Sequence, residues 1–260
     1  MLTAILPWAG KVLSESLLSL YPVFVKNIGV ALPLQMWTRF VAYVGIAAFF
    51  VNYSFIKEHM FSKWGLMLAA VTIVHIYTSY QGFMLLDSGT AFTLFYTYPV
   101  LILLFAKRLN PLLFAFTLVG IGLLAFGNSW PGLGMVAGAA ITEALIYFIV
   151  LKLPSKNNWN HLFLSYFAGA VLLTLFFPPT SLSDVVTVSL GINAGIGMFG
   201  YLLRFFSMTR LPVFWYALLS NLGVVCSYIY GYVFNGETVG VRQIVGTLIV
   251  LVSCWFAKHD

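Results

Sequence analysis

The sequence predicts an all-α integral membrane protein, with ten transmembrane helices in two inverted five-helix repeats, residues 1–128 and 129–260, packed as one membrane domain. Three observations carry this expectation. Of 260 residues, 61% are apolar or aromatic and only 8% are charged, against roughly 25% charged in a soluble domain. The mean hydropathy is +0.97, so lipid has to cover much of the surface. Apolar stretches also recur at about the 20-residue length that crosses a bilayer.

In order, the expected spans are 4–25, 33–53, 64–84, 89–106, 112–127, 132–151, 161–177, 186–207, 213–234 and 239–257. Helix breakers separate them. Pro33 opens the second, Asn110-Pro111 precedes the fifth, and Pro131-Gly132 precedes the sixth. Pro178-Pro179 ends the seventh, and Asn235-Gly236 divides the last two. Such short connections leave no room for a separate soluble domain. The first span is not read as a cleaved signal, because Lys11 and Glu15 interrupt its apolar run and no A-x-A site follows.

The net charge is +6. In a chain this apolar, basic residues orient the helices rather than bind nucleic acid. With the N-terminus in the cytoplasm, the cytoplasmic side receives Lys57, Lys63, Lys107, Arg108, Lys152, Lys156, Arg204, Arg210 and Lys258, and the opposite side Lys26 and Arg242. That bias predicts a multi-pass plasma (inner) membrane protein with both termini cytoplasmic. Cys226 and Cys254 lack metal-ligand spacing and read as small apolar packing residues.

The two halves echo one another. Ser14-Glu15-Ser16-Leu17-Leu18 matches Thr142-Glu143-Ala144-Leu145-Ile146 at an offset of 128. The stretch after Ser88 matches that after Pro212 at 124, and Gly120 matches Gly246 at 126. Five helices per repeat is an odd number, so the second half inserts upside down. Such inverted repeats place a solute site near the membrane midplane.

Glu15 and Glu143 are the leading candidates for that site, one per half and each mid-span. A charge at the bilayer centre costs about 2.5–3.5 kcal/mol on insertion scales and persists when it is paired, hydrated or functional. Burial and a second nearby carboxylate both favour the protonated form, which would let a cationic solute and a proton compete for the pair. The bland alternative is a structural ion pair, Glu15 with Lys11 one turn away. Arg39, in the second span, grips an anionic solute group, pairs with Glu15, or snorkels to the outer headgroups. Thr72, His75, Ser79 and Gly82 form one polar stripe, with His75 a candidate for proton coupling. Trp37, Tyr77, Tyr80, Tyr96, Tyr147 and Tyr216 are candidate aromatic walls for an organic cation, and Asn221 a polar contact. Pro22 and Pro99 interrupt spans and are candidate gating hinges. The glycines at 134, 138, 191, 195, 197 and 200 permit close helix contact, and Glu237 reads as a cap on the last helix. No catalytic or phosphate-binding motif stands in a suitable context, and no cofactor or metal is expected.

Leu86 to Phe105 (LDSGTAFTLFYTYPVLILLF) and Thr209 to Gly246, with Gly236-Glu237, Gln243 and Gly246 near its end, resemble the drug/metabolite transporter superfamily, in particular its ten-helix EamA-type members. The resemblance extends over essentially the whole chain, and its loose motifs specify fold better than substrate. The first half departs from the pattern, with Asn110-Pro111 where Gly-Glu would stand, and Asn221-Leu222-Gly223 occupies the place of Tyr98-Pro99 in the second. The resemblance implies a secondary transporter with alternating access. In the superfamily's small multidrug-resistance branch, a first-helix glutamate binds protons and cationic drugs in turn, a role that would fall to Glu15 and Glu143. The expected solute is a small organic cation or amphoteric metabolite of the choline, S-adenosylmethionine or amino-acid type. The alternatives are a neutral or anionic metabolite such as a sugar or nucleotide sugar, with structural glutamates, and a membrane scaffold or lipid-modifying enzyme. The partners expected are the solute and the bilayer, and a monomer can hold a complete pathway.

Overall fold

Charged side chains are buried within the core of this molecule, and many large apolar ones lie on its outside. Lys11, Glu15, Arg39, Glu143 and Arg204 are buried, whereas Leu175, Phe176, Tyr232 and Val241 are exposed. That inversion suits a bundle whose surroundings are hydrocarbon. A computed structural model describes residues 2–179 and 187–256, and Lys258 lies outside them. Every regular element among these residues is an α-helix.

The first span is broken. α1 (Leu2–Leu18) ends before Ser19-Leu20, and α2 (Tyr21–Asn27) restarts with Pro22 in its first turn. There the ring's missing N–H removes no helical bond, so Pro22 begins a half-helix rather than bending a continuous one. α3 (Leu32–Ala47) follows. A short helix outside the expected spans, α4 (Tyr53–His59), comes next, and Asn52 caps it by accepting from the N–H groups of Ser54 and Phe55. It meets α5 (Lys63–Leu85) at 90°. The fourth span breaks at Tyr96-Thr97 into α6 (Ser88–Phe95) and α7 (Tyr98–Phe105), with Pro99 again in the opening turn of its half. α8 (Pro111–Ala125), α9 (Trp130–Leu151), α10 (Asn158–Phe176) and α11 (Val188–Met208) are continuous. Asn221 separates α12 (Val213–Ser220) from α13 (Leu222–Asn235), and α14 (Val241–Trp255) closes the described chain.

Five segments among the described residues are long and apolar enough to cross a membrane, or six if the bent α4–α5 pair counts as one span. This falls short of the expected ten. α8 and α14 have 15 residues each, about 22 Å of helix against a core of about 30 Å. The first span is divided by its break and carries Lys11 and Glu15.

Helices of the first half pack on helices of the second. α1 lies on α11 and α5 on α9; α3 lies on α10, α8 on α14, α6 on α13 and α7 on α12. Exchanging the halves reproduces the same set of pairs. At the α8–α14 crossing, backbone meets backbone. A Cβ on Gly120 would stand 2.8 Å from the Gly246 carbonyl oxygen, and one on Gly246 would stand 2.8 Å from that of Gly120. On α11, Gly197 gives room to Tyr21 and Tyr43, and Gly200 to Leu18; Gly134, Gly191 and Gly195 have open space instead.

Replacing Gly120 with Leu is expected to push α8 from α14 and destabilise the protein by about 1–3 kcal/mol. Gly191→Leu, facing open space, is expected to be close to neutral. Thermal unfolding of the two variants in the same detergent makes the comparison.

Candidate functional site

Four charged side chains meet at the centre. Arg204 on α11 reaches both glutamates: one terminal nitrogen donates to Glu143 Oε1 at 2.5 Å and the other to Glu15 Oε1 and Oε2 at 3.2 and 3.1 Å. Lys11, one turn before Glu15 on α1, donates to Glu15 Oε1 at 2.5 Å. All four are at most 1% exposed. Two carboxylates and two cations balance, which is the condition under which buried charge is tolerated.

Aromatic side chains enclose the network. Tyr96 donates to Glu15 Oε2 at 2.5 Å, and Tyr98 donates to Glu15 Oε1 at 3.4 Å. The Lys11 ammonium lies 3.6 Å from the ring centre of Tyr216, which packs 4.9 Å from Tyr147. His75 on α5 completes the cluster. Its Nδ1 is 3.2 Å from the Ala139 carbonyl, and its Nε2 lies 3.0 Å from the Tyr201 hydroxyl and 3.2 Å from Glu143 Oε2. A neutral ring donating from Nδ1 accepts from Tyr201 at Nε2, whereas a protonated ring donates Nε2–H toward Glu143.

The helix breaks converge here too. Ser19, at the end of α1, donates to the Gly223 carbonyl at 3.0 Å. Tyr96, between α6 and α7, lies so close to Gly223 that a Cβ there would stand 2.1 Å from its ring. Asn221, buried, sits at the third break. Interrupted helices free backbone groups and allow half-helices to move separately, as the binding sites of many transporters require.

Arg39 does not join the network. It sits among Tyr21, Tyr43, Tyr80, Tyr166 and Tyr201, with its guanidinium carbon 4.6–5.6 Å from each ring centre. It donates to the hydroxyls of Tyr80 at 3.1 Å and Tyr166 at 2.9 Å. It is 3% exposed, so it neither snorkels nor pairs with Glu15. One small cavity touches both Arg39 and Arg204, with His75, Tyr21, Tyr80 and Tyr201 on its polar side. Phe83, Phe92 and Phe95 make its apolar wall.

Other residues fall elsewhere. Tyr77 is 45% exposed and faces outward. Trp37 lies between α3 and α10, donating to the Thr174 hydroxyl at 3.0 Å. Arg204, expected among the cytoplasmic loop charges, is instead the hub of the site. Its place on the face of Gly197, Gly200 and Tyr201, at i−7, i−4 and i−3, was the signal for it. Tyr98 was likewise missed.

Glu237 caps a helix, but not the last one. Its carboxylate accepts from the N–H groups of Ser88 and Gly89 at 3.0 and 3.1 Å, at the start of α6. Gly236, in the left-handed conformation at φ +64°, turns the chain to bring it there. Lys26 lies 3.5 Å away, and Asn27 donates to Asn235 at 3.0 Å. These contacts tie α2, α6 and α13 together at one end of the bundle. Partial burial pushes the Glu237 carboxyl up, but hydrogen bonds from Ser88 and Gly89 and the charge of Lys26 outweigh it and hold the carboxyl below its usual range.

Removing Arg204 alone, as Arg204→Gln, leaves two buried carboxylates with Lys11 as their one paired cation and is expected to cost about 3–5 kcal/mol. Adding Glu15→Gln and Glu143→Gln is expected to recover part of the loss, measurable as unfolding temperature. The Glu237 contribution should be complete above the ordinary carboxyl value of about 4.3 and fade as pH falls through its own lower value. Wild type should therefore lose stability relative to Glu237→Gln between about pH 5 and pH 3, by the same unfolding measurement.

No curated protein matches the chain closely enough to count as a relative. A solved structure described only as the crystal structure of a protein superimposes over 97% of this chain and 95% of its own length, with a TM-score of 0.63 and 16% identity. At that identity the likeness concerns the fold. The model of the EamA-like transporter family matches residues 130–257, from the start of α9 to the end of α14. Through this second half, the chain matches the EamA-like transporter family, part of the drug/metabolite transporter superfamily, whose members carry small solutes across membranes.

Proposed function

We propose that this protein is a secondary transporter that moves a small solute by alternating access. Its site lies where α1, α5, α9 and α11 meet around Glu15, Arg204 and Glu143. The observation that carries this reading is the Arg204 bridge, which joins a carboxylate of each half through one guanidinium. A link of this kind has two discrete conditions, closed on itself or opened by a competing ligand, and two-condition elements are what alternating access requires. The cross-half helix pairs and the repeated Glu and Gly positions support two inverted five-helix repeats, with ten membrane segments and both termini cytoplasmic. Lys57, Lys63, Lys107, Arg108, Lys152, Lys156 and Arg210 remain on one end of the bundle in that topology after Arg204 is moved to the centre.

Because Lys11 and Arg204 already satisfy the two glutamates, a purely cationic solute would first have to displace one of them. An amphoteric or anionic solute meets no such obstacle at Arg39. Proton exchange would use Glu15, Glu143 and His75. The cavity has about 20 Å³ of free volume, room for a water and not for a metabolite, so loading requires the half-helices at the three breaks to part.

Uptake and counterflow in proteoliposomes test the proposal, with choline, S-adenosylmethionine, neutral amino acids, polyamines and nucleotide sugars at two pH values. Wild type is expected to exchange at least one solute, and Glu15→Gln or Glu143→Gln to lower the rate at least about tenfold, the loss of about 1.4 kcal/mol of stabilisation. A moving solute with both variants at wild-type rate would remove the carboxylates from the mechanism. Absence of exchange for every solute would count against transport itself.

A further inference from the structure

We propose that Arg39 and its tyrosines form the subsite for a carboxylate group of the transported solute, an inference that rests on the transport reading above. Lys11, Glu15, Glu143 and Arg204 cancel, and among the described residues no Asp or Glu lies within ion-pair distance of Arg39. The surplus charge facing the cavity is therefore positive. Cation–π contacts soften the desolvation of Arg39, but neutral tyrosines supply no counter-charge.

Donor geometry points the same way. A guanidinium has five N–H donors in a rigid planar fork, and Tyr80 and Tyr166 each accept from one terminal nitrogen. Arg39 Nε, fully buried, has no hydrogen-bond partner in the protein. The Asn193 side-chain nitrogen donates to the Tyr80 hydroxyl at 3.4 Å. Unspent donors on an uncompensated cation, at the wall of a cavity, match the two-oxygen acceptor of an ionised carboxylate.

The rest of the cavity adds selectivity. Phe83, Phe92 and Phe95 face it with apolar surface, suited to a hydrocarbon portion of the solute. Arg204 lines its other side, so a second acceptor on the solute could compete there with Glu15 and Glu143. Binding at Arg39 would thus be linked, through one cavity, to the bridge between the halves.

Leucine, glutamate and succinate, each with its methyl ester, and choline are the probes. Their binding is read as thermal stabilisation of the detergent-solubilised protein, and their movement as counterflow in proteoliposomes. The free acids are expected to bind and exchange, and the esters to bind at least about tenfold more weakly, the scale of a lost charge-assisted hydrogen bond. Arg39→Gln should abolish acid binding, whereas Arg39→Lys, which keeps charge and loses the fork, should weaken it. The acid–ester comparison on wild type needs no folded variant. Equal binding of acids and esters, stabilisation by choline alone, or no stabilisation by any acid at millimolar concentration would overturn the assignment, whatever moves. Acids that bind selectively but never exchange would leave the subsite standing and overturn the transport reading.

Discussion

A guanidinium can sit in the middle of this bundle because two carboxylates, one from each half, meet it there. Arg204 spans Glu15 on α1 and Glu143 on α9, and much of the interior is arranged around that bridge. Lys11 balances the remaining charge. Tyr96, in the break between α6 and α7, and Tyr98, at the start of α7, complete the shell of Glu15. In hydrocarbon, an unpaired member of such a set is expensive, so the four residues act as a unit.

The helix breaks give this unit its mechanical setting. Ser19, Tyr96 and Asn221 stand where three spans are interrupted, and Gly223 receives both the Ser19 hydrogen bond and the Tyr96 ring. At one end of the bundle, Glu237 joins α2, α6 and α13 by capping α6 and facing Lys26. The half-helices are thus held at the centre by charge and at one end by a cap. Both attachments are polar and reversible, unlike the apolar packing of α8 on α14.

Arg39 belongs to a different electrostatic regime. Its neighbours are rings and hydroxyls, which orient a cation without neutralising it. One small cavity thus touches two guanidinium groups, Arg204 paired with carboxylates and Arg39 held by tyrosines.

Composition and periodicity alone were enough for the all-α membrane character, the position of most helices and the singling out of Glu15 and Glu143 as charges inside spans, because a bilayer penalises charge and exposed backbone wherever they occur. Gly120 and Gly246 could be matched along the chain, but only packing brought them face to face. Near the end of its helix, Arg204 reads equally as a loop charge, and Glu237 reads as a cap on the helix that follows it. Their partners are 189 and 149 residues away in Glu15 and Ser88. Sequence spacing describes neighbours on one helix; which carboxylate a buried cation meets across the bundle is set by the tertiary structure, since that pairing depends on how separate helices cross.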